Sequence, residues 1–112
     1  MTLILGQQNR GMTRNIVILD ADGGTITPAM NDLVRVTIGR DGQTEVFTVT
    51  SGTDTAAGSS ITKGATNVLR IDATDLNFDP GTYSFFVDFF DAADAQEWKE
   101  VDRQVFTLEP VS

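Results

Sequence analysis

The run from Asp79 to Asp91 reads Asp-Pro-Gly-Thr-Tyr-Ser-Phe-Phe-Val-Asp-Phe-Phe-Asp. From Thr82 onward it alternates, with Tyr83, Phe85, Val87 and Phe89 on one side of an extended chain and Ser84, Phe86, Asp88 and Phe90 on the other. Successive side chains of a pleated chain point to opposite faces, so a period of two predicts a strand. Pro80 fixes φ and Gly81 permits a tight bend, so the strand begins at a corner. The odd-numbered face is wholly apolar and must be buried. The even-numbered face carries two aromatic rings, Phe86 and Phe90, which also need a cover. That cover is either this chain's own N-terminal segment or its Ser51 to Asn67 region, or else a subunit contact, where aromatic residues are enriched.

Working outward, Asp91-Ala92-Ala93-Asp94-Ala95 predicts a hairpin loop, and Gln96 to Leu108 returns as the last strand. In that strand Val101 and Val105 are odd-numbered, whereas Phe106 and Leu108 bring in even positions. Such a change of phase predicts a β-bulge near Arg103. Upstream, Val34, Val36 and Ile38 alternate with Arg35 and Thr37, Arg40-Asp41-Gly42 turns, and Thr44 to Thr50 returns with Phe47 and Val49 inward. This is a hairpin. Asn15 to Leu19 is a continuous apolar run leading into the turn-forming Asp20 to Gly24, then a short extended piece at 25–27 that Pro28 ends. Ser51 to Ser60 is small and polar and predicts an exposed loop. Val68 to Ile71 is a strand with Leu69 and Ile71 inward, and Ala73 to Leu76 can make one helical turn. Thr, Val and Ile number 32 against 22 for Ala, Leu, Glu and Lys together, a balance that suits pleated surfaces. The expectation is all-β: a single antiparallel β-sandwich of about seven strands over residues 14–112. Residues 1–13 form a short N-terminal arm or an extra edge strand, whose apolar Leu3-Ile4-Leu5 could add to a neighbour's sheet.

Composition narrows the function. With 112 residues, one domain and one core are expected. A formal charge of −8 repels phosphate backbones and anionic headgroups, so neither nucleic acid nor membrane is an expected partner. There is no Cys and no His, which removes thiol chemistry, the usual zinc and haem ligands, and any disulfide. Leu3-Ile4-Leu5 is far short of the roughly 7–15 apolar residues of a signal peptide, which points to synthesis in a cytoplasm. Asp20 with Asp22, Asp72 with Asp75 and Asp79, and Asp91 with Asp94 and Glu97 form acidic groups, but none has the spacing of a calcium loop. Turn residues bonding their own backbone account for them. No phosphate loop, nucleophile elbow or metal triad is present, so neither catalysis nor a cofactor is expected.

Asp79-x-Gly81-x-Tyr83 resembles the tyrosine corner of immunoglobulin-like sandwiches, in which the phenol bonds back to main chain a few residues upstream. Phe85 stands where antibody domains carry a Cys, so apolar packing would substitute for the crosslink. The only Trp, Trp98, follows this strand instead of lying earlier, where Phe47 is the nearest core aromatic. More broadly, Ile16 to Gly23, Leu33 to Gly42, Leu69 to Leu76, Asp79 to Tyr83, and Phe89 to Trp98 into Phe106-Thr107-Leu108 together resemble the small immunoglobulin-like structural proteins of tailed bacteriophages. The resemblance implies an immunoglobulin-like fold and a non-catalytic virion part. Its most direct form is a head decoration protein bound to the major capsid protein, with a trimer at a lattice threefold as one arrangement. A tail or baseplate accessory protein is the alternative, and a glycan-binding adhesin acting through the Ser51 to Thr66 loop is a third reading. The candidate contacts are Leu3, Ile4 and Leu5 on the arm and Phe86, Phe90 and Trp98 on the sandwich.

Overall fold

A computed structural model describes residues 3–19, 22–40, 45–51, 59–92 and 97–110, and the side chains of Leu3 and Ile4 lie outside the described set. The turn expected at Asp41 and Gly42, the middle of the 51–60 loop and most of the 91–95 hairpin loop also fall outside it. The chain is all-β. Among the described residues the strands are, in order, β1 (Leu3–Gln7), β2 (Met12–Ile16), β3 (Leu33–Gly39), β4 (Glu45–Thr50), β5 (Ser60–Thr62), β6 (Asn67–Ile71), β7 (Gly81–Phe90) and β8 (Trp98–Glu109), with a 3₁₀ turn at Ala73–Asp75. One sheet runs β1-β8-β7-β3-β4 and the other β2-β6-β5.

Two expectations need correction. The larger sheet is mixed, because β1 pairs parallel to β8, Leu3 opposite Val105 through Gln7 opposite Glu109. The strand count holds, with seven described strands from β2 to β8 and β1 as the extra edge strand, but the short extended piece expected at 25–27 makes only an isolated bridge, Thr25 to Leu19, while β5 lies in the stretch read as loop. Gly6 makes the parallel edge possible, since a Cβ there would stand 2.7 Å from Phe106 Cζ. After β1 the chain reverses through Asn9, at φ 62°, a left-handed conformation that Asn tolerates better than most residues.

The two sheets face each other across one core, a sandwich-like arrangement. The larger sheet contributes Val34, Val36, Ile38, Phe47, Val49, Phe85, Val87, Phe89, Phe106 and Leu108, and the smaller Ile16, Ile61, Leu69 and Ile71. Alternation along each strand is what divides inward from outward residues. On β8 the alternation slips once: Val87 faces Asp102 but Asp88 faces Glu100, so Val101 is the extra residue of a bulge. The phase change in the sequence marked this bulge two residues away. On its other side β8 is paired with β1 only from Val105 to Glu109; among the described residues, no strand lies against Trp98 to Gln104 there.

Tyr83, buried in the core, donates from Oη to the carbonyl of Asp79 and accepts from Arg40 Nη2 at 3.2 Å, with the guanidinium 4.9 Å above its ring. The phenol therefore fixes the 79–81 corner to the start of β7 and ties in the end of β3. Tyr83→Phe keeps the ring and removes the oxygen, leaving the Asp79 carbonyl short of a donor. The expected loss is about 1–2 kcal/mol of unfolding free energy, read as a lower urea midpoint at unchanged m-value.

Candidate functional site

The outward face of the five-stranded sheet gathers most of the candidate residues. On β7 alternation sends Phe86, Asp88 and Phe90 outward; on β3 it sends Arg35 and Thr37. β8 contributes Trp98 and Glu100 before its bulge and Arg103 after it. Even- and odd-numbered residues share this face only because Val101 absorbs one position. The register then sets the neighbours: Arg35 opposite Asp88, Thr37 opposite Phe86, Phe86 opposite Arg103, and Phe90 opposite Trp98.

Two guanidiniums organise the surface. Arg35 donates from Nε and Nη2 to Asp88 Oδ2, both at 3.2 Å, and its Cζ lies 4.1 Å from the Trp98 ring centroid. Because β7 separates β3 from β8, the Arg35 side chain spans the sheet diagonally. Trp98 packs beside Phe90, ring centroids 5.5 Å apart. Arg103 holds Glu100 in a forked pair at 2.7 and 3.3 Å, and its Cζ lies 4.6 Å from the Phe86 centroid. Cation–π contacts of this kind are worth about 0.5–1 kcal/mol each when exposed and more when desolvated. The exposed Arg103–Glu100 ion pair adds little to stability by itself but orients the groups. Beside this ladder runs an open cleft lined by Arg35, Thr37, Glu45, Thr48, Phe86, Asp88, Glu100 and Arg103.

The rings of Phe86 and Phe90 are thus half-covered by side chains of their own face. The N-terminal segment lies elsewhere, and the strands of the 51–67 stretch, β5 and the start of β6, belong to the smaller sheet. Leu5 is exposed beside Thr107; alternation from Gly6, which faces Phe106, puts it on the same outward face as Trp98. Nine residues of β8 separate the two, roughly 30 Å at strand rise. The structure therefore brings Phe86, Phe90 and Trp98 together and leaves Leu5 apart from them. The β1 backbone of Leu3, Ile4 and Leu5 is engaged with this chain's own β8, and Arg14 Nη2 donates to the Leu5 carbonyl at 3.4 Å. Asp79, Gly81 and Tyr83 form the corner at the Leu5 end.

Sequence reasoning missed Arg35, Asp88, Glu100 and Arg103. The available signal was Asp88 itself, a carboxylate set between two outward aromatics, a place where a cation is needed. The acidic groups have structural partners: Asp72 accepts from the Thr74 amide at 3.2 Å and Asp75 from Ser59 Oγ at 2.6 Å. Asp20 and Asp94 are outside the described residues. Among the described residues no three acidic side chains converge closely enough to hold a metal ion. No protein-family model and no curated protein matches the chain.

Proposed function

We propose that this chain is a non-catalytic virion structural protein with an immunoglobulin-like fold, attached to the assembled capsid shell through the outward face of its five-stranded sheet. The fold part of this reading is supported by strand order. A β1-β8-β7-β3-β4 sheet facing β2-β6-β5, with a tyrosine-pinned corner before β7, follows the plan of such domains, in which B and E lie in one sheet and C, F and G in the other.

The observation that carries the functional part is the ladder of Phe86, Phe90 and Trp98 under Arg35 and Arg103. Trp and Arg are the residues that dominate protein–protein contacts, and here they sit on strands, which hold them in place without a further entropy cost. The carboxylates of the face support a non-catalytic reading, since Asp88 and Glu100 are each held by a guanidinium. A glycan site works best with an uncovered ring face, whereas Arg35 and Arg103 occupy one face each of Trp98 and Phe86. That favours a protein partner. Repetition over a lattice multiplies a modest free energy per site. Titrating the purified protein onto shells assembled without it should show saturable binding at a fixed number of copies per lattice unit. Cryo-electron microscopy of the particle should place it on the head. No saturable binding, or density confined to the tail, overturns the decoration reading.

A further inference from the structure

At the end of the sandwich opposite Tyr83, residues 29–32 make a tight turn. The Asp32 amide donates to the Ala29 carbonyl at 3.1 Å, and the Ala29 amide donates to Asp32 Oδ2 at 2.7 Å. Asp32 is buried, and its Oδ1 accepts from the Ala92 amide at 3.2 Å, just past β7. The carbonyls of Ala29, Met30 and Asp32 converge on one point outside the turn. Lys63, which follows β5 in the other sheet, places Nζ there and donates to all three, at 3.1, 2.8 and 2.7 Å. An ammonium has three protons, and these contacts account for all of them.

We propose that the 29–32 turn is a seat for a monovalent cation of potassium size, and that Lys63 is its tethered occupant. Ammonium and potassium are nearly equal in size, and carbonyl dipoles can replace the hydration shell of either. The observed distances exceed the roughly 2.3–2.6 Å of calcium–oxygen contacts and the roughly 2.0–2.1 Å of magnesium, and the three oxygens are neutral, so divalent ions fit poorly. The Asp32 carboxylate shapes the seat and leaves contact with the occupant to the Asp32 carbonyl. The two carboxylate oxygens hold the turn from the Ala29 and Ala92 amides, so the carbonyls stay in place when the lysine is removed. The occupant joins the β5–β6 connection to the entry of β3 and steadies the turn that carries Met30, 91% exposed.

The test compares thermal unfolding of the wild type, Lys63→Ala and Lys63→Met in potassium, sodium and choline chloride at one ionic strength. Lys63→Ala opens the seat, whereas Lys63→Met fills the approach with an uncharged stem. In choline, Lys63→Ala should melt several degrees below wild type. At about 500 mM potassium it should recover roughly 3–6 °C, with less recovery in sodium. Wild type and Lys63→Met should respond equally to the three salts. If Lys63→Ala melts too low for a folded baseline, urea midpoints approached from the unfolded side give the same comparison. Equal midpoints of Lys63→Ala in potassium and choline overturn the proposal, as does a potassium response of the same size in Lys63→Met.

Discussion

Phe85→Ala is expected to lower the unfolding free energy by about 3–5 kcal/mol, the range for truncating a fully buried aromatic residue. Phe85 has no solvent exposure, lies mid-strand in β7 between Tyr83 and Val87, and stacks on Phe106 with centroids 6.4 Å apart and planes 19° apart. Neighbouring strands are hydrogen-bonded on both sides of it, so the backbone has little freedom to collapse into the space. Without cysteine, no crosslink limits the entropy of the unfolded chain, and burial is the main force that holds the two sheets together. Against a total of about 5–15 kcal/mol for a domain, this one ring is a large share. Urea unfolding should show a much lower midpoint with the m-value preserved, and Phe85→Leu should cost well under half as much. A loss below about 1 kcal/mol for the alanine variant would mean that the sheets do not close on Phe85 as described.

Under the proposed decoration role, Trp98→Ala is expected to weaken attachment to bare shells by about 30-fold or more, chiefly through faster dissociation. Removing the indole takes away the surface on which Arg35 lies and uncovers Phe90, so three contact groups are altered at once. Arg35→Lys should give an intermediate loss, because a lysine keeps the charge but cannot stack a planar group on the ring. Leu5→Ala, on the same face but at the far end of β8, should change binding by less than about threefold, as most peripheral contacts do. Sedimentation of protein with shells gives the affinities, and melting curves exclude unfolding as the cause. If Leu5→Ala were the damaging change and Trp98→Ala silent, the arm would be the contact and the ladder merely a folded surface.

The parts legible in the sequence were those with a local period. β3, β4, β6 and β7 follow directly from alternation, because a sheet with one buried face forces it, and the bulge of β8 left its mark as a change of phase. β5 was not legible: Ser60-Ile61-Thr62 is too short to show a period and sits inside the Ser51 to Thr66 stretch that reads as loop. Ser51 and Ser59 read as loop residues yet are buried, since a small hydroxyl can satisfy backbone there; Ser51 Oγ accepts from the Val34 amide at 3.0 Å. The parallel placement of β1 depends on Gly6 meeting Phe106, a hundred residues later in the chain. The ladder failed to appear for the same reason. Arg35 and Trp98 are visible in the sequence as an outward cation and a late indole, but their meeting requires the register of three strands. Lys63 and its carbonyl partners also lie more than thirty residues apart, and backbone acceptors leave no residue-type signature.

The margin of β8 from Trp98 to Gln104, against which no described strand lies, has a consequence for crowding. A sheet edge of this length is a template on which another chain can add and grow by zippering, the first step toward fibrils. Here Val101 kinks the backbone midway, and Lys99, Glu100, Asp102 and Arg103 would confront any incoming strand with charge every one or two residues. Molecules packed side by side at very high local density are thereby kept as separate bodies.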